Sequence, residues 1–122
     1  MTGPTGPSPI ISQNYKVPVV GGVTTAINNL GTVSLAVLAA AQARSKITFH
    51  NPNVVTNINI LVCQSKDASG NTLTASFAAP GGGFVIFPGG LLDVVGDAAQ
   101  GAWLAIAQSS TNQGLTITTS QG

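Results

Sequence analysis

The sequence predicts an all-β chain. It reads as an antiparallel β-sandwich, jelly-roll-like domain over residues 23–122, preceded by an extended Gly/Pro-rich N-terminal arm over residues 1–22. Three observations carry this expectation. Short runs rich in Val, Ile, Leu and Thr recur with centres about 8–12 residues apart, the spacing of strands in a sandwich or barrel. Gly, Pro and Asn punctuate them, and within the runs apolar and polar residues alternate with period two. The one helical rival, Leu38–Ala43, is too short to hold as an isolated helix.

The arm comes first. Gly3-Pro4-Thr5 and Gly6-Pro7-Ser8 are two Gly-Pro-X triplets followed by Pro9. Two triplets are too few for a collagen triple helix, so the segment reads as a proline-stiffened tether. Fully extended, about 20 residues span on the order of 60 Å. A domain of the remaining size has a radius of gyration of about 13–14 Å. The arm therefore outreaches its own domain, and Pro4, Pro7, Pro9, Ile10, Ile11 and Tyr15 are its candidate docking residues.

Strands are expected at Val23–Ile27, Thr32–Leu38, Ser45–His50, Asn57–Cys63, Thr72–Phe77, Gly83–Phe87, Leu91–Val95, Trp103–Gln108 and Leu115–Thr119. Alternation assigns their faces. Ser45, Ile47 and Phe49 share one side, with Arg44, Lys46, Thr48 and His50 on the other. Ile58, Ile60 and Val62 oppose Asn57, Asn59, Leu61 and Cys63; Leu115 and Ile117 oppose Thr116 and Thr118. Asn51-Pro52-Asn53 stops a strand, because Pro has no N–H for the ladder and restricts the residue before it. Ser65–Asn71 is the one charged loop and reads as a solvated turn. Pro88-Gly89-Gly90 separates two apolar runs as a tight β-turn-β unit.

Charge is the unusual feature. Four Lys and Arg and three Asp make up 6% of the 122 residues, for a net charge of +1, where an ordinary domain has about 25%. Four scattered cations cannot neutralise a phosphate backbone, which excludes a nucleic-acid partner. No apolar run approaches the roughly 20 residues of a spanning helix, so no membrane is expected. The N-terminus lacks a basic segment followed by an apolar one, as a secretory signal would have. Cys63 stands alone and gives no support for an oxidising compartment.

Chemistry is equally sparse. His50 is the single histidine, so no metal cluster and no cofactor site is expected. Cys63 with His50 would be the only nucleophile–base pair; the alternative is a buried strand cysteine and a strand-end histidine. Asp93 and Asp97 lack a helical face on which to act as paired carboxylates. Trp103 is expected to anchor the core, or, with Asp93 or Asp97, to form the only candidate sugar platform. The chain is not expected to be an enzyme. A surface so poor in charge suits burial against other protein, since hydroxyl and amide groups avoid the desolvation cost of buried charge. Arg44 and Lys46 are expected to be exposed together. There they either pair with acidic groups on a neighbour or form a solvated strand face.

The segment Ala41-Gln42-Ala43-Arg44-Ser45-Lys46-Ile47-Thr48-Phe49-His50-Asn51-Pro52 resembles a stretch of small virion proteins of tailed bacteriophages. Phe84-Val85-Ile86-Phe87-Pro88-Gly89-Gly90 is similar to their apolar run and Pro-Gly-Gly turn. Ala102–Ala107 and Leu115-Thr116-Ile117 are similar to their last two strands. The resemblance covers residues 23–119. It implies a capsid decoration (cement) protein or a head-fibre base that binds the major capsid protein and neighbouring copies of itself, as a homo-oligomer, with a trimer expected. The chain would be made in the host cytoplasm and reside on the capsid surface of the virion. The alternative is a host-surface or carbohydrate-binding module displayed on the particle. Only two Gly-Pro-X triplets are present, unlike the long collagen-like stalks of fibre proteins.

Overall fold

The structure, a computed structural model, describes residues 23–54, 58–78 and 83–121. Among the described residues, eight strands run in chain order: β1 (Val23–Leu30), β2 (Leu35–Leu38), β3 (Arg44–His50), β4 (Ile60–Gln64), β5 (Gly83–Ile86), β6 (Leu91–Val95), β7 (Trp103–Ala107) and β8 (Gln113–Gln121). A one-turn helix, α1 (Asp97–Gln100), precedes β7. The N-terminal arm, with its six candidate docking residues, lies outside the described residues.

The strands form two antiparallel four-stranded sheets. The first has the order β1-β8-β3-β6, the second β2-β7-β4-β5. First pairs with last, second with seventh, third with sixth and fourth with fifth. This is the wrapping of a jelly roll, so the all-β sandwich expected from strand spacing is the fold observed.

Alternation places the core between the sheets. Ile47 and Phe49 from β3, with Leu115 and Ile117 from β8, meet Ile60, Val62, Ile86 and Trp103 from the opposite sheet, all buried. The Phe49 and Trp103 rings cross the gap with centroids 5.3 Å apart and planes tilted by 53°, an arrangement favoured by the ring quadrupoles. Trp103 thus anchors the core. A second, smaller cluster of Leu61, Cys63, Ala75 and Ile106 lies on the outer side of β4 and β7. Buried on both faces, β4 reads Ile-Leu-Val-Cys without alternation, as doubly covered strands do.

Two expectations about elements need correction. Thr72–Phe77 is not a strand. It makes a single bridge, Lys66 to Thr72, and packs Ala75 and Phe77 onto the second cluster, with Ala75 N donating to Ser34 Oγ at 3.0 Å. Its alternation serves to cover a sheet face and not to extend a ladder. The β5–β6 unit is a β-turn-β unit as expected, and its two strands belong to opposite sheets. The turn itself is as expected: Pro88 precedes Gly89, whose φ is +80°, and Gly90 N donates to Phe87 O at 2.7 Å. It carries the chain from one sheet across to the other. Finally, Asp97–Gln100 adopts the helical turn, while Leu38–Ala43 holds the end of β2 and a bend.

Candidate functional site

Arg44 and Lys46 were expected side by side on a solvent face, and the structure separates them. Along β3 the partner of Lys46 is Ser120, yet the partner of Arg44 is Gln121. Ser45 is therefore an extra residue in the ladder, a β-bulge that shifts the face of everything before it. Lys46 stays outside. Arg44 turns inward and is 6% exposed. Its guanidinium donates from Nε to Ala99 O at 2.5 Å, from Nη1 to Ala39 O at 3.0 Å and from Nη2 to Gly101 O at 2.6 Å. Two of these carbonyls sit at the C-terminal end of α1, where the helix dipole favours a cation. Burial lowers the Arg44 pKa from its ordinary value. Arg44 is thus a staple between the end of β2, α1 and β3, and is not placed to meet another subunit.

Lys46 lies on the outer face of the first sheet, with its Nζ 3.9 Å from Asp93 Oδ2 of its own chain. Asp93 Oδ1 also accepts from Thr48 Oγ1 at 2.6 Å. Register places Thr24, Thr118, Thr48 and Asp93 in one row across all four strands, and the Thr24 and Thr118 hydroxyls are 3.2 Å apart. This face presents hydroxyls and one loose ion pair to solvent.

The remaining candidates do not assemble chemistry. Cys63 is buried in the second cluster, on a different sheet from His50, and burial raises its thiol pKa. Trp103, 1% exposed, offers no sugar platform; its indole N–H donates to Ala98 O at 3.0 Å. Among the described residues no three His, Cys, Asp or Glu side chains group to hold a metal ion. No described helix is long and apolar enough to cross a membrane. An open hollow of about 430 Å³ lies between Phe84 and the Lys66–Ala68 turn. Asp67 in that turn accepts from the Asn71 and Ser69 backbone N–H groups, each at 2.9 Å, and from Asn71 Nδ2 at 3.2 Å. Bonding to Asn71 first, and then to Ser69 and Gly70, lowers its pKa below the usual 3.8.

What sequence reasoning missed is the edge formed by β5 and β6. Each is the outermost strand of its sheet among the described residues. Phe84, Val85, Phe87, Leu91 and Val95 are all exposed there, from 42% for Val85 to 68% for Leu91. Leu91 and Val95 flank Asp93 on the outer face, while Leu92 and Val94 point to the core. The signal was present in Leu91–Val95, whose five residues alternate around a single Asp with apolar groups on both faces. At its turn the edge is held by Asn51, fully buried. Its Nδ2 donates to Ile58 O and Ile86 O at 2.7 and 2.9 Å, and its backbone exchanges hydrogen bonds with Gly89 and Gly90. Compared with known proteins, the chain matches no family model, no curated protein and no solved structure.

Proposed function

We propose that this protein is a structural subunit of a virion, a capsid decoration protein that binds the major capsid protein and neighbouring copies of itself and strengthens the shell by burying surface between subunits. One observation carries the reading. The four edge strands, β1, β2, β5 and β6, contain one charged residue between them, Asp93, and no Lys or Pro. Free sheet edges template further pairing, and monomeric proteins blunt them with Lys, Pro or bulges. A jelly roll with such edges, and with exposed apolar residues gathered along one of them, suits a lodging among other subunits. Contacts of about 800 Å² per partner, repeated around a symmetric shell, add through multivalency. Catalysis has no part in this reading. The phage resemblance of Ala41–Pro52 and Phe84–Gly90 selects the capsid among possible assemblies.

The test is to strip the protein from purified particles with mild denaturant and heat the remainder. Particles that lose heat resistance, and regain it when the protein is added back, support decoration. Particles of unchanged strength that no longer adsorb to cells would instead establish a host-surface or carbohydrate-binding module.

A further inference from the structure

We propose that the open hollow beside Phe84 is a binding site for a neutral pyranose sugar, one residue of a short glycan. The inference goes beyond the shell-binding reading and does not depend on it.

The fold opens this hollow at one end of the sandwich. Ile60, Val62 and Gln64 alternate along the inner side of β4. Ile86 and Phe84 do the same along β5, where they pair with Ile60 and Val62. Ile60, Val62 and Ile86 are buried in the core. Phe84, the next residue of its row, is 50% exposed, and Gln64 is half-buried. The inner rows of the second sheet thus run on past the packed core. The space beside them is the hollow of about 430 Å³. Ligand sites form at the mouths of β-barrels, in spaces of about 300–1,000 Å³.

The walls define the ligand. Phe84 and Leu73 supply apolar surface, and Gln64, Lys66 and Asp67 supply polar groups. The Lys66 ammonium only donates, the Asp67 carboxylate only accepts, and the Gln64 amide does both. Among the described residues neither the Lys66 ammonium nor the Gln64 amide has a hydrogen-bond or ion-pair partner. Asp67 Oδ1 accepts from the Ser69 and Asn71 N–H groups. Its Oδ2 accepts from Asn71 Nδ2 at 3.2 Å and keeps a lone pair for a ligand hydroxyl. With a cation and an anion side by side the hollow has no net charge, and an ionic ligand of either sign meets one like charge. The ligand that fits is neutral, with groups that both donate and accept and with an apolar face. A pyranose has ring hydroxyls of that kind, and its C–H groups suit the negative face of an aromatic ring.

The polar groups are also held in place in advance. Lys66 bridges to Thr72 across the turn, Asp67 N donates to Asn71 O at 3.0 Å, and Leu73 N donates to Ser65 O at 2.8 Å. A fixed turn lowers the ordering cost of binding. A second hollow of about 250 Å³ shares Gln64 and Lys66 with the first and runs to Ala40 and Gly101, which gives room for the next sugar of a chain.

Amide NMR of isotope-labelled full-length protein tests this. The probes are maltose, cellobiose, lactose and chitobiose, with digalacturonate and a tetraglutamate peptide as charged counterparts. Saturable shifts at Gln64, Lys66, Leu73 and Phe84 are expected with at least one neutral disaccharide. Phe84→Ala and Lys66→Met are each expected to weaken that binding about tenfold or more, while Lys46→Met leaves it unchanged. Both altered positions are exposed, and the amide spectrum of each variant reports its fold. No saturable shift with any neutral disaccharide, binding that survives both Phe84→Ala and Lys66→Met, or tighter binding of a charged probe overturns the proposal. Decoration of a shell can fail while this site stands, and the reverse, because the titration uses purified protein alone.

Discussion

Arg44 and Lys46 occupy the same strand two residues apart, and the structure predicts opposite fates for their substitution. Arg44→Met removes three hydrogen bonds from a cation to the carbonyls of Ala39, Ala99 and Gly101. Each charge-assisted bond contributes about 1.5–3 kcal/mol, and an unpaired buried acceptor costs about 1–3 kcal/mol. The Ala99 bond is buried and the other two are partly buried, so water takes over part of what the methionine vacates. Methionine also keeps the apolar stem in place. The net loss expected is about 3 kcal/mol, out of a total of about 5–15 kcal/mol for a domain of this kind. Lys46→Met removes only a 3.9 Å pair whose side chains are 48% and 58% exposed; such pairs contribute about 0–1 kcal/mol. Urea unfolding followed by Trp103 fluorescence measures both. At a slope of about 1.5 kcal/mol/M, Arg44→Met lowers the midpoint by about 2 M and Lys46→Met barely moves it. Equal midpoints for the two variants would refute the assignment of Arg44 as a buried staple and restore it to the solvent face beside Lys46.

Asn51→Ala leaves the buried carbonyls of Ile58 and Ile86 without their donor, and a loss of about 3 kcal/mol in the same urea assay is expected; a loss below about 0.5 kcal/mol, the level of a neutral surface change, would contradict its role. The Asp67 carboxylate, held below its usual 3.8 by its bonds to Asn71 and Ser69, favours the native turn above its unfolded pKa, and that support is lost as pH falls through the lower folded value. Carboxyl NMR should therefore show Asp67 titrating below 3.8, with an upward shift in an Asn71→Ala variant; titration at or above the ordinary value counts against the turn. Cys63, buried and with its thiolate disfavoured by desolvation, should resist alkylation in native protein and react fully in urea. Rapid native labelling would mean that the segment over the second cluster opens readily.

Strand faces were legible wherever the ladder keeps its register, whether one face or both are buried. Leu115 and Ile117 against Thr116 and Thr118, and Ile60 and Val62 against Leu61 and Cys63, fall on the sides that period-two alternation assigns. Arg44 defeats the same rule because one extra residue at Ser45 reverses the parity of what precedes it. Nothing in Arg-Ser-Lys marks that position. The sheet membership of β5 and β6 was not legible because a Pro-Gly-Gly turn fixes only the local reversal. Which sheet each strand joins depends on pairing with β4 for β5 and with β3 for β6, partners as distant in sequence as Ile60 from Ile86 and Lys46 from Val95. Thr72–Phe77 kept its alternation but lost its ladder, since what it packs on is the outer face of β4 and β7. Asn51 read as a strand terminator, which it is. Its burial follows from contacts with Ile58, Ile86 and Gly89 that only the closed sandwich supplies.

The placement of β8 has a consequence for how the sandwich is made. It follows every other strand in the chain, yet it lies between β1 and β3 in the interior of its sheet. As the polypeptide leaves the ribosome, β3 can pair with β6, but nothing links β1 to the sheet until β8 emerges, and Val23 waits for Thr119, almost the whole domain later. Pairings of such long sequence separation form slowly. Throughout synthesis the nascent chain holds open ladders that carry almost no charge to keep other chains away, so crowded polysomes are where this protein meets its greatest hazard of aggregation. Its ladders stay open until the final strand slots in between β1 and β3.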